Sequence, residues 1–284
     1  MYDTVVAGFD GSAPCRDAVD EALSLMGKGG GRLVLAHGVY FDNEEFGIAP
    51  EQLERRLRAG RELCAHTIEE MSSLNGVGVE CRVRQGEAPD VIVDVAAEEK
   101  ADLVAMGTMG RKGLNRLIMG SVTSRVIVNS PADVLVLKAR RGAGSARKSV
   151  LLAFDGSEFS ERALARACRL SEAEGAKVTV LYVIPRYEEM LEFFKTDSIK
   201  ETLRREAGRI VEGAASMAAA LGVEARVEAD EGQAAERVVE AAKRLGADLI
   251  VMGTYGHRGV NRAIMGSTAE RVIINAPCPV LVVR

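Results

Sequence analysis

The chain has 284 residues, a formal net charge of −4, 47% hydrophobic and 27% charged side chains. This length predicts two domains, and the mild acidity excludes a general affinity for nucleic acid or an anionic membrane. No apolar run reaches the roughly 18 residues of a membrane span and no secretion signal is evident, so we expect a cytoplasmic protein. The five scattered cysteines form no C-x-x-C pair, which predicts buried free thiols in a reducing cytosol.

Short apolar runs in the first half alternate with segments that have the spacing of amphipathic helices. The runs are residues 4–9, 33–39, 79–84, 103–107 and 133–138. The clearest helical stripe consists of Leu53, Leu57, Cys64, Ile68 and Met71. In the second half it consists of Ile199, Leu203, Ala207, Ile210, Ala214, Met217 and Leu221. Apolar strands that alternate with helices predict an α/β fold, with a parallel five-stranded sheet covered by helices on both faces.

The third strand differs from the others because apolar and charged residues alternate along it. Val79, Cys81 and Val83 alternate with charged neighbours, as do Val223, Ala225 and Val227 in the second half. One solvent-exposed face is typical of an edge strand, which favours the open strand order 3-2-1-4-5. In that order the topological switch point lies between strands 1 and 4.

The two halves of the chain are copies of one another. Residues 104–138 align on 250–284 with 19 of 35 positions identical, at an offset of 146 residues. The Gly-, Ala- and cation-rich stretch between the halves lacks periodicity and predicts a linker. We therefore expect a first domain over 1–140, a linker over 141–147 and a second domain over 148–284.

Two repeated motifs converge on the predicted switch point. Strand 1 ends at Asp10-Gly11-Ser12, and strand 4 leads into a G-x2-G-x9-G-S loop. Ligands of open α/β sheets bind beyond the carboxyl ends of the strands at this point, and a helix N-terminus favours an anion. The loop residues are Gly107, Gly110, Gly120 and Ser121, and in the second half Gly253, Gly256, Gly266 and Ser267. Loop cations are Arg111, Lys112 and Arg116, and in the second half His257, Arg258 and Arg262. A structural tight turn would also use glycine, but two copies beside two Asp-Gly-Ser turns favour phosphate binding.

This loop, entered through "MGT" and followed by "RVI", resembles that of the universal stress protein family in its tandem, ATP-binding form. The resemblance implies a Rossmann-like, adenine-nucleotide-hydrolase-like fold and one ATP per domain, with Mg²⁺ accompanying the phosphates rather than held by protein ligands alone. It implies these first-domain contacts: Asp10, Met106, Gly107, Gly110, Gly120, Ser121 and Val122. Those of the second domain would be Asp155, Val183, Met252, Gly253, Gly256, Gly266, Ser267 and Thr268. Gly38 stands where Val183 would pack on adenine, so we expect the second site to be better formed.

The sequence favours a binding protein over an efficient enzyme. Phosphoryl transfer needs a positioned nucleophile and charge stabilisation, and no His/Asp pair recurs in both halves. We therefore assign no catalytic residue and expect an ATP-binding regulator of the stress response whose protein partner is not identified. A slow ATPase or autophosphorylating protein is one alternative, and a structural or chaperone-like dimer with vestigial sites is another.

The last strand of each domain generates a prediction about assembly. Residues 134–137 and 280–283 are apolar at every position, and open apolar edges are covered or paired in native proteins. We expect these strands to pair, either within one chain as a pseudo-dimer or between chains as a homodimer. Fragments 1–143 and 147–284 should associate with each other or self-dimerise in analytical ultracentrifugation, and Val136→Pro should weaken pairing by the first fragment. Two monomeric fragments in the mixture would contradict edge pairing.

Overall fold

The computed structural model describes residues 1–26, 30–40, 50–71, 76–108, 119–137, 147–185, 197–255 and 265–284. It divides into two compact units, Met1–Ala143 and Gly144–Arg284. The first unit runs β1 Thr4–Gly8, α1 Ala13–Leu25, β2 Gly31–Val39, α2 Pro50–Met71, β3 Val77–Gln85, α3 Ala88–Glu98, β4 Leu103–Gly107, α4 Ser121–Asn129 and β5 Asp133–Leu137. The second runs β6 Ser149–Ala153, α5 Glu158–Glu174, β7 Lys177–Pro185, α6 Asp197–Ala220, β8 Arg226–Gly232, α7 Ala234–Leu245, β9 Leu249–Gly253, α8 Ser267–Asn275 and β10 Val280–Val283.

The strands of each unit follow the order predicted from the sequence. Within the first unit the order is β3-β2-β1-β4-β5, and within the second it is β8-β7-β6-β9-β10, with parallel pairing between neighbours. The central strands β1 and β4 are buried almost throughout, whereas every residue of β3 is partly or fully exposed. The α/β prediction with β3 at an edge is therefore confirmed, and helices cover both sheet faces.

The buried stripe of α6 differs from the sequence prediction in its second half. Met217 and Leu221, which were expected on the buried face, are 37% and 49% exposed. The buried stripe is Ala207, Val211, Ala214 and Ala218. Three of these four residues are alanines, whereas Met217 lies outside the stripe and Leu221 follows the last residue of the helix, Ala220. No helix among the described residues is long and apolar enough to cross a membrane.

The prediction of five free thiols is wrong for two of the cysteines. Cys64 of α2 and Cys81 of β3 form a disulfide, with their Cα atoms 6.2 Å apart. Cys15, Cys168 and Cys278 are buried thiols outside the disulfide, as expected. The pair was not predicted because the contact between a helix and an edge strand is tertiary, and a separation of 17 residues carries no recognisable motif.

The expected linker ends in a residue that is packed into the second unit. The Arg147 side chain is 1% exposed and forms an ion pair with Glu174. Its backbone N–H also donates to Glu174 Oε2 at 2.9 Å. Residues 141–146 of the expected linker lie outside the described residues.

Helix α5 approaches β9 so closely that only glycine fits at the end of the strand. A Cβ atom on Gly253 would lie 2.7 Å from Phe159 Cβ and 2.9 Å from the Phe159 carbonyl carbon. In the first unit, a Cβ atom on Gly107 would lie 3.0 Å from backbone and side-chain atoms of Pro14. The strand ends that lead into the glycine loops are thus fixed by helix packing.

This packing predicts that Gly253→Ala destabilises the protein by about 1–3 kcal/mol, because backbone rather than a flexible side chain must move. The free energy of unfolding can be measured by urea denaturation of the full chain, monitored by circular dichroism. Gly213→Ala is the control, since a Cβ atom there meets no neighbour within 4 Å. We expect the control to be neutral or stabilising by up to ~1 kcal/mol, and equal effects would contradict the packing argument.

Candidate functional site

The turns after β1 and β6 have the same conformation in both units. The backbone N–H of Ser12 donates to Asp10 Oδ1 at 2.9 Å, and that of Ser157 donates to Asp155 Oδ1 at 3.0 Å. The intervening glycines, Gly11 and Gly156, have φ angles of 79° and 80°, a conformation that residues other than glycine rarely adopt. Both aspartates are partly exposed at the carboxyl end of the sheet.

The strand register brings each aspartate turn level with the start of a glycine loop. Ala7 of β1 pairs with Ala105 of β4, so Asp10 and Thr108 both lie three residues beyond one aligned pair. In the second unit Ala153 pairs with Met252, and Asp155 and Thr254 both lie two residues beyond it. The structure therefore brings the two predicted motifs together at the switch point of each unit.

The helices α4 and α8 begin at this edge with free backbone donors. Gly120 and Gly266 are the N-cap residues, and neither helix has a side-chain cap. Within the described part of the chain, the first three amides of each helix donate no hydrogen bond. Such amides and the positive end of the helix dipole favour an anion. Ser121 and Ser267 are exposed at the same positions, so their hydroxyls are also accessible.

The first turn of α4 is tied directly to the loop ends. Thr123 Oγ1 donates to the Gly107 carbonyl oxygen at 2.8 Å, and the Gly120 N–H donates to the Thr108 carbonyl oxygen at 3.0 Å. In the second unit Ala269 occupies the position of Thr123, and Thr254 Oγ1 instead donates to the Val283 carbonyl oxygen at 2.8 Å. The sequence analysis missed these threonines because their role depends on tertiary contacts.

Helix packing explains why glycine is needed at some positions of the loop but not at others. Gly107 and Gly253 are required by the helices packed against them. A Cβ atom on Gly266 would lie 3.5 Å from the Thr254 carbonyl oxygen, an ordinary contact, and one on Gly120 would lie 3.2 Å from that of Thr108. Protein packing therefore does not demand glycine at 266, although bare backbone there leaves room for a ligand against the helix N-terminus.

The residues expected near the base are divided between core and surface. Met106 and Met252 are each 5% exposed, and the Met106 sulfur lies 2.6 Å from where a Cβ atom on Gly8 would stand. Their side chains belong to the core, so any contact with a ligand at this edge falls to their backbone. Val183 is partly exposed at the end of β7, as are Val122 and Thr268 near the helix starts.

Gly38, the first-unit counterpart of Val183, is also fixed by packing. A Cβ atom on Gly38 would lie 2.7 Å from Ala88 Cα and 3.0 Å from the Ala88 backbone nitrogen. The start of α3 thus excludes a side chain at this position. The absence of an apolar side chain in the first site follows from the fold of that unit.

An aromatic pair that the sequence analysis did not identify borders the second site. Tyr255 is 4% exposed, and its ring lies edge-on to Phe159 with centroids 5.4 Å apart. The Arg162 guanidinium carbon lies 5.6 Å from the centre of the Phe159 ring. In the sequence, the available indication of this pair was a difference within the repeated motif, where Met109 of the first half is replaced by Tyr255 in the second.

Several residues expected at the site lie outside the described residues. They are Gly110, Gly256, Arg111, Lys112, Arg116, His257, Arg258 and Arg262. Within the described residues, no group of three or more His, Cys, Asp or Glu side chains could hold a metal ion. The described geometry therefore offers backbone donors and serine hydroxyls for an anion beside one carboxylate in each unit.

Comparison with known proteins agrees with this architecture. Residues 1–138 and 146–284 each match the Universal stress protein family. A universal stress protein of Thermus aquaticus is 38% identical over 139 residues, which are 48% of this chain and 98% of the relative. One from Mycolicibacterium smegmatis is 28% identical over 216 residues, 75% of this chain and 71% of the relative. The crystal structure of a universal stress protein from Archaeoglobus fulgidus has a TM-score of 0.75 at 20% identity, covering 99% of this chain and 96% of that one. The chain therefore belongs to the universal stress protein family and carries one family domain in each half.

Proposed function

We propose that each domain binds ATP at the carboxyl edge of its sheet, as a regulatory ligand in a stress response. One observation carries the proposal: an Asp-Gly-Ser turn and an uncapped helix N-terminus lie level with each other at the switch point of both domains. We also propose a cytoplasmic location, because ATP is abundant inside cells.

The helix N-termini are the proposed phosphate sites. The first-turn amides of α4 and α8, together with Ser121 and Ser267, supply donors to phosphate oxygens. Gly110 and Gly256 and the loop cations belong to the same proposal. Magnesium would be coordinated mainly by the phosphates, where it would offset their charge.

The aspartates and the ends of β2 and β7 are the proposed nucleoside sites. Asp10 and Asp155 accept backbone hydrogen bonds from their turns, which holds each carboxylate at the sheet edge, where it can accept from ribose hydroxyls. Val183 offers an apolar surface to adenine, whereas the first site has Gly38. We therefore propose that the second site binds the base more tightly.

Gly266→Val tests the phosphate site directly. The valine side chain would occupy the space at the start of α8. ATP should therefore bind the second domain about 10- to 100-fold more weakly, which corresponds to ~1–3 kcal/mol of binding free energy lost to steric overlap. Isothermal titration calorimetry should show half the wild-type stoichiometry. Gly120→Val should act in the same way on the first domain.

Two control variants test whether the loss of binding comes from the side chain at the start of the helix. Gly213→Val adds the same side chain on α6, where no atom beyond the adjoining helix backbone lies within 4 Å of the new Cβ, and should leave both sites intact. Gly266→Ala should fold normally because its Cβ makes only an ordinary contact with Thr254. If the double variant Gly120→Val/Gly266→Val bound ATP as the wild type does, the site assignment would be wrong.

The alternative of a slow ATPase makes a different prediction. If ATP is only a regulatory ligand, phosphate release should not exceed that of ATP without protein, because the described part of neither site shows a positioned nucleophile. Release can be measured with a coupled phosphate assay. Release above that background, even if far below the roughly 1–10³ s⁻¹ of ordinary enzymes, would favour the slow ATPase if Asp10→Ala/Asp155→Ala abolishes it and the exposed α3 control Asp94→Ala does not.

A further inference from the structure

The Cys64–Cys81 disulfide is one of few tertiary anchors of helix α2. Only Gly60, Cys64 and Thr67 are buried among the 22 residues of this helix. Cys64 is 1% exposed and bonds to Cys81 on the edge strand β3. Breaking the bond would therefore remove a covalent link from a helix that buries little apolar surface.

Helix α2 also contacts the rim of the proposed first nucleotide site. Leu63, beside Cys64 in sequence, lies against the Asp10-Gly11-Ser12 turn, and its Cδ1 atom is 2.8 Å from the position of a Cβ atom on Gly11. Gly60 lies against His37, whose Nδ1 is 2.6 Å from the Phe9 carbonyl oxygen at the end of β1. The position of α2 is thus coupled through packing to the turn that carries Asp10.

The second domain has no such link at the corresponding positions. Leu35 pairs with Cys81, and Val180, the repeat counterpart of Leu35, pairs with Val227. The buried residues Gly60, Cys64 and Thr67 of α2 correspond in spacing to Ala207, Val211 and Ala214 of α6. Valines 211 and 227 therefore stand in place of the two cysteines, and apolar side chains form the buried stripe of α6 in the described residues.

A cleft between α2 and β3 gives access to the bond. It has a volume of about 390 Å³ and is lined by both cysteines, by three apolar side chains, and by Arg61, Arg82 and Arg84. Cys81 is the more exposed of the two residues, since Cys64 is almost completely buried. A small dithiol entering this cleft would reach Cys81 first.

We propose that the Cys64–Cys81 disulfide is a redox-sensitive link that sets the nucleotide affinity of the first domain and leaves the second unaffected. This inference rests on the proposed function. In compartments that keep thiols reduced, disulfides that do form are usually transient or redox-sensing. The structure therefore assigns the two domains different regulation, although their site motifs are nearly the same.

The chemistry is thiol–disulfide exchange with a dithiol reductant. A thiolate of the dithiol attacks Cys81 Sγ, the Cys64–Cys81 bond breaks, and Cys64 leaves as a thiolate that takes up a proton. The second thiol of the reductant then displaces Cys81, which also leaves as a thiol. Two electrons and two protons pass from the dithiol to the protein, and a small disulfide reverses the exchange.

The other cysteines do not compete in this reaction. Burial raises the pKa of the Cys15 thiol to about 11 and also raises the pKa of Cys168. Both thiols therefore remain protonated and unreactive near neutral pH. Cys278 is likewise buried and is not part of a disulfide.

The experiment compares oxidised and dithiothreitol-reduced full-length protein by hydrogen exchange during an ATP titration. Protection of the first amides of α4 reports the first site, and protection of the first amides of α8 reports the second. Reduction should raise the ATP midpoint at α4 about fivefold or more, the lower range of ordinary coupling between sites, and leave the midpoint at α8 unchanged. Amides of α2 should exchange faster after reduction even without ATP.

The matched control is Cys64→Val/Cys81→Val, which copies the residues of the second domain. It should give one ATP midpoint at α4 in both buffers, with mass spectrometry after alkylation recording the thiols in every sample. An unchanged α4 midpoint in verified reduced wild type would overturn this inference alone, as would a disulfide that dithiothreitol cannot open in the folded protein. Absence of ATP protection at both helices in both redox states would overturn the proposed function, and the inference with it.

Discussion

The parallel pairing of β1 with β4, and of β6 with β9, is the constraint on which both candidate sites depend. These strands are far apart in sequence, yet their register sets the Asp-Gly-Ser turn and the glycine loop at the same level of the sheet. On the other side of β1, the Phe9 N–H donates to the Ala36 carbonyl oxygen, which continues the ladder from β2 to the base of the turn. A slip by one residue would reverse the side-chain directions along a buried strand, so core packing and site geometry are fixed together.

Close helix approach explains part of the glycine motif without any ligand. Gly107 and Gly253 accommodate Pro14 and Phe159, and Gly38 accommodates the start of α3. Gly266 has no comparable neighbour, and it precedes a helix whose first amides are free within the described part. The motif therefore combines two requirements, tight packing where strands β4 and β9 end and bare backbone where α4 and α8 begin. Only the second requirement supports anion binding.

Sequence reasoning succeeded where structure follows from local pattern. The alternation in strand 3 indicated an edge, and the two repeated motifs indicated the switch point, because each depends on residues close together in the chain. It failed where the decisive contact is tertiary. The Cys64–Cys81 pair joins a helix to a strand, and the burial of Val211 and Ala218 instead of Met217 and Leu221 depends on how α6 packs against its sheet. The Phe159–Tyr255 pair joins the N-terminal turn of α5 to the end of β9, and the difference between residues 109 and 255 does not reveal Phe159 as the partner.

The duplicated domains keep the site backbone nearly constant and differ in the elements that support it. The aspartate turns have matching backbone hydrogen bonds and glycine φ angles, although Ser157 Oγ also donates to Asp155 Oδ1 at 2.6 Å, and both helices start from a glycine cap. The supports differ: Thr123 ties α4 to β4 where α8 has Ala269, and α2 carries a disulfide where α6 carries Val211. A ligand that must order its site loses affinity to the conformational entropy that the site gives up. Differences in the elements that hold the site can therefore change affinity while the contacts to the ligand stay the same. Under the proposed function, two sites with one motif would in this way respond to different nucleotide concentrations within a single chain.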